Sequence, residues 1–292
     1  MDQNFVKQEV DKLVRYVTTH ISDDTVDLIQ KALDRETSET AKSMLSAMLE
    51  NQKLSGEEQK ALCQSPGFPT VYVRFGDKTL PGNIADYLGQ SLVKATNDGL
   101  LRPSIVHPLT RKNSGNNSGQ GVPNIEYKYI PELDYLEVLI SLKGCGAELG
   151  NAMKVMTVPM LGKNFSGLKD FVLRTVIEAG GKPCPPVGIG IGIGGQMDVA
   201  AKLSREAIST RKWTDTNPDP LLAELEEDIL TSINKLKLGA AGTGGDTYAL
   251  AVKIGTAYTH TAIAPVAINF HCWVTRRAGI RLYNDGRVEK IL

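Results

Sequence analysis

The run GGKPCPPVGIGIGIGG, Gly180 to Gly195, constrains this chain more than any other stretch. From Val187 to Gly194, glycine alternates strictly with valine or isoleucine. A strand sends successive residues to opposite faces, so this segment predicts a strand with a branched apolar face and a face without side chains. The apolar face requires a core. The bare face lets another backbone, or a ligand, come close.

The same letters contain Gly190-x-Gly192-x-x-Gly195, the spelling of a dinucleotide-binding turn. That reading is disfavoured. Pro183, Pro185 and Pro186 cut the preceding strand short, and no acidic residue stands at the end of a clear second strand further on. A lysine followed by serine or threonine is also missing from the loop, which excludes a P-loop. The start of the following helix could still hold an anion such as a carboxylate. Attention therefore moves to Cys184, set between the prolines.

There are four cysteines, Cys63, Cys145, Cys184 and Cys272, with no CxxC pair among them. Spacing alone thus gives no zinc-finger or ferredoxin signal. Lys+Arg and Asp+Glu are 33 each, so nothing points to nucleic acid or an anionic membrane as partner. No apolar run is long enough to span a bilayer, and the N-terminus lacks the apolar core of a secretory signal. A cytoplasmic location is expected. With 41% hydrophobic residues, the chain has the composition of a globular protein.

Helical periodicity dominates residues 1–60: Phe5, Val6, Val10, Leu13, Val14 and Val17 share one face, and Ser22 is a good N-cap for a second helix. Beyond it, TVYVRFG, NIEYKYI, YLEVLISL, VGIGIGI, YALAVKI and IAPVAINF read as strands, the second and third joined by a turn. IADYLGQSLVKATNDGL, FSGLKDFVLRTVIEAGG, a segment from about Gln196 to Ile208, and LLAELEEDILTSINKL read as helices, with Gly180 as a C-cap. Arg111 to Gly121 is a polar, glycine-rich loop. The expected fold is mixed α/β (α+β), a helical part over 1–60 followed by an α/β part over 61–292.

Three segments in combination carry a resemblance. They are LCQSPG around Cys63, CPPVGIGIGIGG from Cys184, and HCWVTRRAG around Cys272, at intervals of 121 and 88 residues. Together they resemble the iron–sulfur hydro-lyases of the class I fumarase and L-tartrate dehydratase family, in particular the α subunit of its two-subunit form. The likeness spans nearly the whole chain.

The resemblance implies a [4Fe–4S] cluster held by Cys63, Cys184 and Cys272, with one iron left open to act on a substrate hydroxyl. Cys145 is left over, in a KGCG segment similar to a glycine-rich substrate segment of the family, which makes Gly144 and Gly146 substrate-binding candidates. The family's glutamine after the first cysteine corresponds to Gln64, its carboxylate-binding arginine to Arg102, and an active-site histidine to His260, twelve residues before Cys272. Asn116 and Asn117 resemble a further substrate segment. The bare glycine face is then expected to admit the cluster and substrate.

One departure stands out. Where the family has Asp-Thr, this chain has Ser65-Pro66. Ser65 thus joins His260 among the catalytic candidates, although a hydroxyl does not replace a carboxylate as a base near neutral pH. The implied reaction is reversible hydration of a C4 dicarboxylate, fumarate to (S)-malate first and tartrate to oxaloacetate second. Larger family members carry a further C-terminal domain, so a separate β subunit is expected, in an α2β2 heteromer. A non-catalytic cluster-binding paralogue and an electron-transfer protein stay open as other classes.

Overall fold

The computed structural model describes residues 1–292. In chain order its main elements begin with α1 (Gln3–Thr19), α2 (Asp23–Arg35), α3 (Glu39–Glu58), β1 (Phe68–Phe75), α4 (Ile84–Asn97), β2 (Asn124–Tyr129) and β3 (Tyr135–Lys143). There follow α5 (Cys145–Leu149), β4 (Ala152–Thr157), α6 (Val158–Leu161), α7 (Ser166–Ala179), β5 (Val187–Gly194), α8 (Met197–Thr210) and α9 (Pro220–Asn234). β6 (Ala249–Ala257), β7 (Ile263–His271), β8 (Arg276–Tyr283) and β9 (Val288–Lys290) complete the chain. The fold is mixed α/β, as the sequence predicts. No helix is long and apolar enough to cross a membrane.

The contacts divide the chain into two compact units, each built from separated segments. The first comprises Met1–Ser22, Glu50–Gly144 and Val274–Leu292; the second comprises Asp23–Leu49 and Cys145–Trp273. The N-terminal helices are shared between them: α1 belongs to the first, α2 to the second, and α3 crosses the boundary.

The first unit is a five-stranded sheet of order β2-β1-β3-β8-β9, covered by α1 and α4. α1 begins at Asp2, whose carboxylate accepts from the Asn4 N–H, and its buried stripe is Val6, Val10, Leu13, Val14 and Val17. That stripe joins Ile84, Leu88 and Leu92 of α4, Val71 and Val73 of β1, and Val138 and Ile140 of β3 in one core. NIEYKYI and YLEVLISL are strands joined by a turn, but they do not pair with each other. β1 lies between them, parallel to β2 and antiparallel to β3. The adjacent chain segments leave a gap that the earlier strand fills.

The second unit is a four-stranded sheet of order β4-β7-β5-β6. β5 and β6 are parallel neighbours, linked through α8 and α9, while β7 runs antiparallel to β5. The alternating glycines do form a strand, but the occupant of their bare face is not a ligand. A Cβ at Gly190 would overlap the Ser204 carbonyl oxygen and come within 2.9 Å of Ile208 Cβ. One at Gly192 would overlap the Ala200 carbonyl oxygen and reach 2.7 Å from the Ser204 nitrogen. The third glycine of the dinucleotide spelling, Gly195, faces the Val199 side chain. Helix α8 therefore lies directly on the β5 backbone. The expectation that cluster and substrate approach this face is corrected: bare backbone is also what lets a helix pack at closest range, and here the protein fills the space itself.

Candidate active site

Antiparallel pairing decides where two of the cysteines go. Cys184 lies three residues before the start of β5, and Cys272 directly follows the end of β7. Because β5 and β7 are antiparallel neighbours with Gly188 opposite His271, both cysteines leave the sheet at the same end. The backbone closes the arrangement there: the Trp273 N–H donates to the Cys184 carbonyl at 3.4 Å.

Cys184 itself is exposed and has φ of 55°, in the left-handed region that non-glycine residues seldom adopt. Its N–H donates to the Gly181 carbonyl at 3.1 Å, which holds the turn. A second wall comes from Gly146 of α5. A Cβ there would overlap the Lys182 carbonyl oxygen and sit 3.8 Å from Cys184 Sγ. Cys272 is buried, at 7% exposure. A strained residue at a turn is a common mark of function. Cluster-free Cys184→Gly is accordingly expected to be more stable than cluster-free Cys184→Ala by about 1 kcal/mol in urea unfolding. Equal stabilities would show that the left-handed turn carries no strain.

The first unit holds Cys63 in the loop between α3 and β1. Leu62 anchors this loop: its side chain is buried, its N–H donates to the Thr18 carbonyl, and its carbonyl accepts from Asn51 Nδ2 at 3.1 Å. The Ser65 N–H donates to Cys63 Sγ at 3.5 Å. Gly67, at φ 81°, lies so close to β3 that a Cβ would come within 2.7 Å of the Leu142 carbonyl carbon. Pro66 is buried, Gln64 is exposed, and Ser65 Oγ sits 3.5 Å from where a Cβ of Gly144 would be. Ser65 and Gly144 are thus brought together.

Arg102 is exposed, free to meet an anion, and its carbonyl accepts from Asn117 Nδ2 at 3.0 Å. Asn117 is buried at 3% exposure; its Oδ1 accepts from the Ser104 N–H, and its Nδ2 also donates to Thr96 Oγ1. With its amide occupied in this way, Asn117 clamps the Arg102 segment and is not available to a substrate. Asn116 turns inward on its own loop, accepting from the Ser118 N–H and hydroxyl.

His260 is exposed in the β6–β7 loop, and its Nδ1 accepts from the Ala262 N–H at 3.2 Å, which leaves the proton of the neutral ring on Nε2. It precedes β7, whereas Cys272 follows it. Nine extended residues hold them about 27 Å apart. The start of α8 is at that same far end, where the Thr259 hydroxyl donates to the Gly195 carbonyl. The resemblance assigned His260 by its place twelve residues before Cys272, and the unbroken strand between them puts the two at opposite ends of β7. The N–H groups at the start of α8 go with His260, away from Cys184.

Neither unit by itself gathers three or more His, Cys, Asp or Glu side chains into a metal-binding group. Cys63 belongs to the first unit, and Cys145, Cys184 and Cys272 to the second. The donor chemistry nevertheless fits an iron–sulfur group. Thiolate sulfur is the ordinary cluster ligand, and Cys184 is exposed. Two residues escaped the sequence reading altogether, His271 and Trp213. His271 carried a signal, its place directly before Cys272.

Residues 7–281 match the fumarate hydratase (Fumerase) family, and this chain belongs to it. It is a hydro-lyase by that membership. Over 287 residues it is 39% identical to a Methanocaldococcus jannaschii chain assigned as an L(+)-tartrate dehydratase subunit alpha, covering 97% of this chain and 99% of that one. It is 30% identical to the L(+)-tartrate dehydratase subunit alpha of Escherichia coli K12, over 100% of this chain and 97% of the relative. A Geobacillus stearothermophilus protein assigned as a class I fumarate hydratase is 33% identical over 96% of this chain, which spans 56% of that relative.

Proposed function

We propose that this chain is the alpha subunit of an iron–sulfur hydro-lyase that reversibly hydrates a C4 dicarboxylate, fumarate to (S)-malate in the first reading. The observation that carries the proposal is the end-to-end match to proteins named alpha subunits, together with the meeting of Cys184 and Cys272 at one end of a sheet. The names of the M. jannaschii and E. coli relatives favour tartrate to oxaloacetate as the second reading. A beta subunit is the proposed partner, in an α2β2 assembly.

Cys63, Cys184 and Cys272 are the proposed ligands of a [4Fe–4S] cluster. When bound, the cluster would supply a Lewis-acid iron with a free coordination position. Gln64 offers an amide to substrate oxygens, and Gly144 and Gly146 are proposed to offer backbone groups. Ser65 can orient a hydroxyl but needs a separate group to take its proton. His260 and Cys272 flank opposite ends of β7. A catalytic role for His260 is proposed only where an assembly pairs it with the cysteines of another copy.

Arg102 is proposed to bind a substrate carboxylate with its planar fork. Arg102→Lys keeps the charge and loses the fork. Turnover efficiency should fall by about tenfold or more, equivalent to about 1.4 kcal/mol, with the cluster spectrum unchanged. Unchanged kinetics would remove Arg102 from the site.

The cluster assignment is tested by anaerobic reconstitution of the wild-type chain. About four irons and four sulfides per chain are expected; a chain that takes up neither overturns the reading. Offering fumarate, (S)-malate and tartrate in parallel to the chain with its companion subunit then decides the substrate.

A further inference from the structure

A histidine and a tryptophan that no part of the proposed chemistry uses are packed beneath the two cysteine segments of the second unit. His271, the last residue of β7, is 0% exposed. Its Nδ1 lies 3.3 Å from the Cys272 carbonyl oxygen. A carbonyl only accepts, so Nδ1 carries the proton and donates. Against the imidazole stands the indole of Trp213, edge to face, with ring centroids 6.1 Å apart and planes at 77°.

Trp213 is itself fixed from three sides. It is buried, its Nε1–H donates to the Ile208 carbonyl at 3.0 Å, and its backbone N–H donates to the Asp24 carboxylate. The indole lies over Gly188, where a Cβ would come within 2.6 Å of ring atoms. Gly188 is the second residue of β5 and the register partner of His271. One indole therefore touches the strand that Cys184 enters and the residue that precedes Cys272. The absent side chain at position 188 is what admits it.

We propose that His271 and Trp213 are positioning residues for the cluster ligands. The Trp213 indole wedges the start of β5 against the end of β7. The His271 imidazole holds the Cys272 carbonyl, and so sets the direction in which that residue leaves the strand. The proposal rests on the cluster reading above. Partners that orient a metal ligand without touching the metal typically change its retention 10–100-fold when lost.

The test loads the full-length chain with its cluster anaerobically and follows iron release to a ferrous chelator. Trp213→Ala and His271→Leu should release iron 10–100-fold faster than wild type and change the electron paramagnetic resonance line shape of the reduced cluster. Trp213→Phe keeps an edge-to-face ring and His271→Asn keeps a donor near Nδ1, so both should stay within about threefold of wild type. Ile229→Ala, in the α9 core, controls for a general loss of stability and should leave release and line shape as they are. Wild-type release in the Ala and Leu variants overturns the proposal, as does equally fast release from the Ile229→Ala chain. A wild-type chain that loads no iron overturns the cluster reading itself, and this proposal falls with it.

Discussion

Replacement of Cys63, Cys184 or Cys272 by serine is expected to abolish stable cluster binding and, with it, turnover. Serine is nearly isosteric with cysteine but its hydroxyl stays protonated near neutral pH, where a thiol next to iron ionises. The Cys184 and Cys272 variants should still fold. Cys184 is exposed, and the chain crossing beside it is held by backbone, from the Trp273 N–H to the Cys184 carbonyl. Cys145→Ser is the contrasting case. Cys145 is exposed at the start of α5 and lies outside the three segments that carry the resemblance. This variant should load iron and sulfide like wild type. Iron and sulfide analysis after anaerobic reconstitution checks all four. Loss of the cluster in the Cys145 variant, with retention in any of the other three, would overturn the ligand assignment.

Gly192→Val is expected to be severely destabilising. The new side chain must go where the Ala200 carbonyl and the Ser204 nitrogen of α8 already are, 2.7 Å from the latter. Neither is the movable end of a side chain. Relief requires lifting α8 from β5, which would expose Ile208 and open apolar surface along the strand. The loss should be about 4 kcal/mol or more, enough to leave the second unit unfolded or the chain insoluble. Ile191→Val changes the opposite face of the same strand by one methylene and should cost about 0.5–1.5 kcal/mol. Circular dichroism melts of the two variants give the comparison. A well-folded Gly192→Val chain would mean that the helix does not rest on the glycine face.

Legibility followed the range of the forces involved. Local periodicity revealed α1, α4, α7, α8 and α9, and the alternation of glycine revealed β5. What fills the glycine face was not legible, because the answer lies in residues 200–213, which a strand pattern does not mention. The pairing of β1 between β2 and β3 was hidden for the same reason: a turn between two strands suggests a hairpin, and only the sheet order tells otherwise. β8 was missed because it starts with Arg276 and Arg277. Arginine signals surface in a pattern, yet both are fully buried here, with Arg277 Nη2 donating to Ser22 Oγ.

The same limit shaped the reading of the site. The segments around Cys63, Cys184 and Cys272 were legible through their resemblance, and family membership followed. The convergence of Cys184 and Cys272 needed the antiparallel order of β5 and β7. The separation of His260 from Cys272 needed the knowledge that β7 is unbroken. Asn117 looked like a substrate contact in a polar loop, and its burial at φ 58° made it a clamp.

The most direct measurement of the central claim is anaerobic turnover of fumarate, (S)-malate and tartrate by the cluster-loaded chain, alone and mixed with its companion subunit. The account predicts no turnover by either subunit alone and reversible hydration or dehydration of one of these dicarboxylates by the mixture, lost when the cluster is removed by oxygen and restored by reconstitution. A cluster-loaded mixture that turns over none of the three, or a cluster-free chain that turns one over unaided, would contradict it.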